Sequence, residues 1–321
     1  MKAPVALLVS CMLALPGAAS AQDWPRKGLT LVAPFTAGGI TDLLTRIMAD
    51  ELGKSLGQPA VVENRGGAGG AVGLNYVLSQ PADGYTLAMG GNGPSAIVPS
   101  LNPNVNYSPK NFEAIGFVAA LPSMLVVHPS VPGKTLLEFA AYAKAQGPKI
   151  SCASHGEGSF NHLACVQFNK ITGSAMTHVP YKGAAAVNPD LLSGRVQAYF
   201  AVLPTVLAFI RNGQLKALAT GDEERVASLP DVPTLKESTG IDGMLAPAWF
   251  GVSAPAKVSS DIRARLEQEI RRALAEPDLK AKLVGAGMDV VALPAARMAD
   301  VIAAEAAYNV STIKRLGFKP D

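Results

Sequence analysis

The sequence predicts an α/β protein with largely parallel sheets, and three observations carry that prediction. Short apolar runs alternate with segments whose apolar residues recur at helical spacing. Glycine- and proline-rich turns separate them, with no fixed-period repeat and no low-complexity linker. At 321 residues the chain has room for two domains.

The chain opens with a segment that is not part of the fold. Lys2 is followed by an apolar run to Leu15, then Pro16 and small residues ending Ala19-Ser20-Ala21, the A-x-A pattern of an export signal. Residues 1–21 are therefore read as a signal peptide cleaved before Gln22, with the mature protein in the periplasm. A rival reading is a lipobox at Leu8-Val9-Ser10-Cys11, which would place a lipid on Cys11. The apolar run before Cys11 is very short and continues past it, which favours the soluble form.

The first folded unit is a buried strand at 30–33, a turn at 34–39 and a helix marked by Ile40, Leu43, Leu44, Ile47, Met48, Leu52 and Leu56. Gly57 and Pro59 stop that helix. Strands follow at 59–65 (PAVVENR) and 85–91 (YTLAMGG), flanking a glycine turn and a helix. Next come a strand at 123–129, a helix at 135–147, a strand at 149–154, a helix at 162–173 and a strand at 176–181. WFGVSAP at 249–255 precedes a helix at 260–275. A short helix opens at Pro277, MDVVAL at 288–293 reads as a strand, and a long helix closes the chain.

Composition excludes several classes. Without Lys2 the mature chain has 27 basic and 25 acidic residues, and no basic cluster interleaved with aromatics, so nucleic acid is not expected. No apolar segment after the leader reaches the length of a membrane span. Gly133-Lys134-Thr135 has His128 where a phosphate loop needs glycine, and GGAGGAVG at 66–73 has Val72 where a dinucleotide fingerprint needs its last glycine. CASHG at 152–156 has Cys152 in place of the first glycine of a nucleophile elbow, although Ser154 could pair with His128, His155, His162 or His178. No metal-ligand spacing occurs, so neither metal nor cofactor is expected. Cys152 and Cys165 bracket one loop; a disulfide and two buried free thiols both fit them.

Gly38 and Gly39 at a helix start have two readings. They make a tight turn, or they let bare N–H groups approach an anion. The whole stretch from WPRKGLTLVAPFTAGGITDLLTRIMADELG to YTLAMG resembles the Bug family, periplasmic solute-binding proteins of tripartite tricarboxylate transporters. LVVHPSVPGKTLLEFAAYAKAQGPKISCASHGEGSFNHLA, HVPYKGAAAVNPDLLSGRVQAYF, LPDVPTLKESTG and WFGVSAP continue the likeness in the family order. The resemblance implies two α/β lobes closing on a ligand, with crossings near Ser123 and Pro247. Lobe one would be 22–123 plus 247–321, and lobe two 124–246. It implies a monomer that hands a small organic acid or amino acid to membrane permease subunits.

The resemblance also implies which residues bind. Backbone N–H groups and water from two facing loops would hold carboxylates: Phe35, Thr36, Ala37, Gly38, Gly39 and Asp42 in the first, and Ser154, His155, Gly156, Glu157, Gly158 and Ser159 in the second. Asp42 is either a helix cap or a contact for a ligand amine or hydroxyl. Tyr181, Lys182 and Gly183 match the family's PYKG turn, as contact or gate. Asn92 and Ser95 follow a strand end and are candidates for the cleft wall, while His162 reads as packing or capping. Two positions depart from the family pattern: His155 stands where a small residue is usual, and Ala201 where an aspartate is common. The second departure favours a plain carboxylate over an amino acid. A receptor signalling to a membrane sensor and a Ser154 hydrolase are the competing functions.

Overall fold

The computed structural model describes residues 24–102, 105–240, 247–285, 288 and 294–316. The leader, its cleavage site and all but Met288 of the strand expected at 288–293 lie outside those residues. The strands among them are β1 (Leu29–Ala33), β2 (Ala60–Asn64), β3 (Thr86–Gly91), β4 (Phe112–Leu121), β5 (Ser123–Val127), β6 (Ser151–Ser154), β7 (Thr177–Pro180), β8 (Ala198–Val202), β9 (Lys216–Thr220) and β10 (Ala248–Pro255). They form two sheets, ordered β2-β1-β3-β10-β4 and β7-β6-β8-β5-β9. Both sheets follow one plan. A central strand (β1 or β6) has parallel neighbours on each side, and the fourth position holds a strand running the other way.

Those reversed strands, β10 and β5, make the sheets mixed rather than largely parallel. β10 is antiparallel to β3 and β4, and β5 is antiparallel to β8 and β9. Periodicity cannot report strand direction, because a buried strand reads the same both ways. β4 is absent from the pattern-based assignment. Its alanines and Gly116 are weak strand formers, and its extended form comes from pairing with β10 along its length.

Alternation along the central strands builds the cores. In β1, Leu31 packs with Leu44 and Met48 on one face, while Val32 packs with Leu74 and Val98 on the other. In the second sheet Leu125 and Phe200 join Phe139 and Phe168, and Val126 and Tyr199 form the opposite face. Each such side chain contributes about 1.5–3 kcal/mol on burial. Cys152, the second residue of β6, and Cys165 on the helix Phe160–Thr172 are joined in a disulfide with Cα atoms 6.3 Å apart. The two central strands each end in a glycine loop followed by a helix, Ile40–Leu56 after β1 and Phe160–Thr172 after β6.

Candidate functional site between the two sheets

The first loop delivers an uncapped helix start. Gly39 is the N-cap of the helix Ile40–Leu56, and no side chain caps it. The Leu43 N–H is donated to the Gly39 carbonyl at 3.0 Å, which leaves the N–H groups of Ile40 and Thr41 without a helical partner. Asp42 serves the loop from within. Its carboxylate accepts from the Gly38 N–H at 3.0 Å, Arg46 Nε at 3.1 Å and Asn64 Nδ2 at 2.9 Å. Desolvation pushes this carboxyl up, but the bonds from Gly38, Arg46 and Asn64 outweigh it and hold the group below its ordinary value. The geometry is that of a loop brace. It also corrects the expectation that the Gly38 N–H is bare, since that donor is spent on Asp42.

The second loop spends more of its donors internally. The Gly156 N–H is donated to Ser154 Oγ at 3.0 Å, the Gly158 N–H to His162 Nδ1 at 3.2 Å and the Ser159 N–H to the Gly156 carbonyl at 3.2 Å. Ser159 Oγ caps the helix Phe160–Thr172 by accepting from the His162 N–H at 3.3 Å. The helical N–H groups left for another partner belong to Phe160 and Asn161. Beneath the loop, Ser154 Oγ lies 2.5 Å from His178 Nε2, and the His178 ring stacks on His162 at 3.9 Å. Desolvation, with repulsion from His178, pulls His162 down to about 3. His155 Nε2 lies 2.6 Å from the Tyr199 hydroxyl, and burial brings it to about 4. Both imidazoles are neutral at pH 7.

The loops of the two sheets touch. The Thr36 N–H is donated to the Lys182 carbonyl at 3.2 Å, and Phe35 meets His155 edge-on with centroids 5.5 Å apart. Gly183 packs against Thr36, whose Oγ1 is buried without a partner. The turn at 66–70 inserts between the sheets: a Cβ at Gly69 would lie 2.4 Å from the Glu157 carbonyl and 3.2 Å from the Ser159 nitrogen. Gly69 also has φ +63°, so glycine is required there twice over. The sequence shows this stretch as a glycine turn between a strand and a helix, but not its insertion between the sheets.

A cavity of about 50 Å³ lies where these elements converge. Phe35, Asn92, His155 and Ser159 line it, as do Ile40, Thr41, Phe160 and Asn161 from the two helix starts. Trp249 and Phe250 of β10 and the Met89–Pro94 stretch complete the wall. Among the described residues, no charged side chain lines it. Thr36, Ala37, Gly38, Gly39, Asp42, Ser154, Gly156, Glu157, Gly158, Tyr181, Lys182 and Gly183 stand behind or beside the wall. The Tyr181 hydroxyl is donated to Asp190 at 2.8 Å, and Ser95 Oγ accepts the Gly91 N–H at 3.3 Å, closing the turn after β3. Asn92 ties the wall together: its Oδ1 accepts the Trp249 N–H at 2.8 Å, and its Nδ2 donates to Glu305 at 2.7 Å. Ile40 and Thr41 lie inside the first expected loop, between Gly39 and Asp42, and Phe160 and Asn161 lie just beyond the second; residues just after an N-cap are the ones with unpartnered N–H groups.

Comparison with known proteins gives this geometry a family. Residues 44–318 match the tripartite tricarboxylate transporter family receptor. The chain belongs to that receptor family. This receptor is 37% identical to protein BugT of Bordetella pertussis over 257 residues, covering 79% of this chain and 78% of BugT. Its fold is similar to Rpa4515 of R. palustris, solved with adipate (TM-score 0.87, 32% identity, 93% of this chain and 100% of that one). It is likewise similar to MatC of Rhodopseudomonas palustris, solved with malate (TM-score 0.86, 30% identity, 90% and 100%). The receptor thus has the two-lobed α/β fold of periplasmic binding proteins.

Proposed function

We propose that this receptor captures one carboxylate group of a small acid between the starts of the helices Ile40–Leu56 and Phe160–Thr172 and hands the acid to a tripartite membrane permease. The observation that carries the reading is the convergence of those two helix starts on one cavity whose lining holds no charged side chain. Anions at such ends gain about 0.3–1 kcal/mol when exposed and up to about 2 when partly buried. Charge-assisted hydrogen bonds from Ile40, Thr41, Phe160 and Asn161 add about 1.5–3 kcal/mol each. Micromolar affinity needs about 8 kcal/mol, so no arginine is required.

On this reading the lobes are 22–123 plus 247–321 and 124–246, a split that follows the two sheets except at Ser123, the first residue of β5. The mature chain starts at Gln22, is soluble in the periplasm and acts as a monomer. The site residues act in two groups: Ile40, Thr41, Phe160 and Asn161 as donors, and Asp42, Ser154, His162 and Ser159 as braces. Ser154 is a brace despite its histidine partner. It is fully buried, and its Oγ already serves the Gly156 N–H and carbonyl as well as His178. That leaves no approach for a substrate carbonyl.

Calorimetry with propionate, hexanoate, malate and adipate, each against its neutral amide, tests the reading. At least one acid should bind with micromolar affinity and its amide at least about a hundredfold more weakly. Equal binding of acid and amide would overturn it. Gly69→Val should lower affinity for that acid by about a hundredfold, because overpacking of about 3 kcal/mol opposes closure.

A further inference from the structure

A second cavity of about 500 Å³ adjoins the first and shares Asn92, Phe160 and Trp249 with it. Leu163 and Ala164 of the helix Phe160–Thr172 form one side, and Val301 and Ala304 of the helix Ala295–Leu316 form the other. A compartment of this size, mostly apolar with a few convergent polar groups, has the ordinary make-up of a small-molecule pocket. Two polar features face it. Asn309 is 2% exposed, and its Nδ2 has no hydrogen-bond partner among the described residues. Glu305 also lines it, with its oxygens accepting from Asn92 Nδ2 at 2.7 Å and Trp249 Nε1 at 2.6 Å.

These features have a direction. The first cavity, at about 50 Å³, has about a tenth of the volume of the second. The remainder of the acid needs space, and the adjoining compartment offers it past a wall the two cavities share. A second carboxylate there would meet Glu305, with no lysine, arginine or histidine among the lining residues to offset the repulsion. A neutral oxygen would meet the unpartnered Asn309 amide instead.

We infer that this receptor selects monocarboxylates with an apolar tail, the tail lying between the helices Phe160–Thr172 and Ala295–Leu316 and a neutral hydrogen-bond acceptor at its far end meeting Asn309. The inference rests on the reading of the first cavity as the carboxylate site. Glu305 sets the preference by its charge, Asn309 by its donor, and the apolar walls by burial of the tail.

Three acids of equal length separate the possibilities: hexanoate, 6-hydroxyhexanoate and adipate, titrated calorimetrically at pH 7.5 into the mature protein. Hexanoate should bind at least about tenfold more tightly than adipate, with 6-hydroxyhexanoate at least equal to hexanoate. Ala304→Trp fills the rim of the compartment, where Ala304 is exposed and a larger side chain leaves the core intact. It should weaken hexanoate about tenfold and leave propionate unchanged. Glu305→Gln should narrow the gap between hexanoate and adipate. Adipate binding as tightly as hexanoate, or hexanoate indifferent to Ala304→Trp, would overturn the inference and leave the carboxylate site standing. Failure of every acid, propionate and malate included, would overturn both.

Discussion

The loop after β1 and the loop after β6 occupy equivalent places in two sheets of the same plan, yet they are stabilised in opposite ways. The first is held by one carboxylate, Asp42, and leaves its helix without a side-chain cap. The second is held by Ser154, Ser159 and His162, caps its helix, and has a disulfide joining its flanking strand and helix. One loop is a lightly braced donor surface, and the other is a fixed wall. On the proposed reading, two halves with one topology divide the work of an anion site, one adapting and one locating.

Removing the fixed wall's covalent clamp has the largest expected effect. Replacing both Cys152 and Cys165 by serine should cost about 2–4 kcal/mol of stability, read as a lowered Tm. Ligand affinity should change less than tenfold, because no thiol touches the cavity. A larger loss of affinity in a folded variant would show that the wall's stiffness itself carries binding.

Next come the donors. Ile40 and Phe160 are each the first residue of their helix, where proline is tolerated and only the N–H is lost. Ile40→Pro compared with Ile40→Ala should cost about 1.5–3 kcal/mol of binding, and Phe160→Pro compared with Phe160→Ala a similar amount. Calorimetry reads both. Equal affinities within either pair would remove that helix start from the site and break the comparison between the loops.

Taken per histidine and per pH unit, the smallest effect is in the pH profile. His155 and His162 sit near 4 and 3 in the folded protein against about 6.5 unfolded, so the unfolded chain binds more protons between those values. Stability should fall as pH drops below 6.5, by about 1.4 kcal/mol per unit for each histidine. Tm measured from pH 7 to pH 4 should show this slope, and His162→Gln should flatten it. A flat wild-type profile would remove neutral imidazoles from the second loop's support.

Much of this architecture is written locally. Both loops are visible because glycines stand between an apolar run and a helical period, and the helix Ile40–Leu56 follows its apolar spacing to Gly57. The braces were legible in principle: Asp42 lies four residues after Gly38 and His162 four after Gly158. What hid them is that a polar side chain at that spacing fits capping and ligand contact alike. The role of Gly69 was not legible, because its meaning comes from Glu157, 88 positions away along the chain. β4 was hidden for the same reason, its extended form being imposed by β10.

Between the two sheets, β4 ends at Leu121 and β5 begins at Ser123, so a single residue forms this joint. That residue is Pro122, whose ring fixes φ, and whose carbonyl accepts the Leu203 N–H at 2.8 Å. Mechanically this is a flexure rather than a tether. Bending is confined to very few dihedrals, and slack is minimal. On the proposed reading of two lobes, a flexure of this kind would turn a small displacement at the loops into a defined swing of the second sheet, so that the outer faces of the molecule would register whether the cavity between the sheets is occupied.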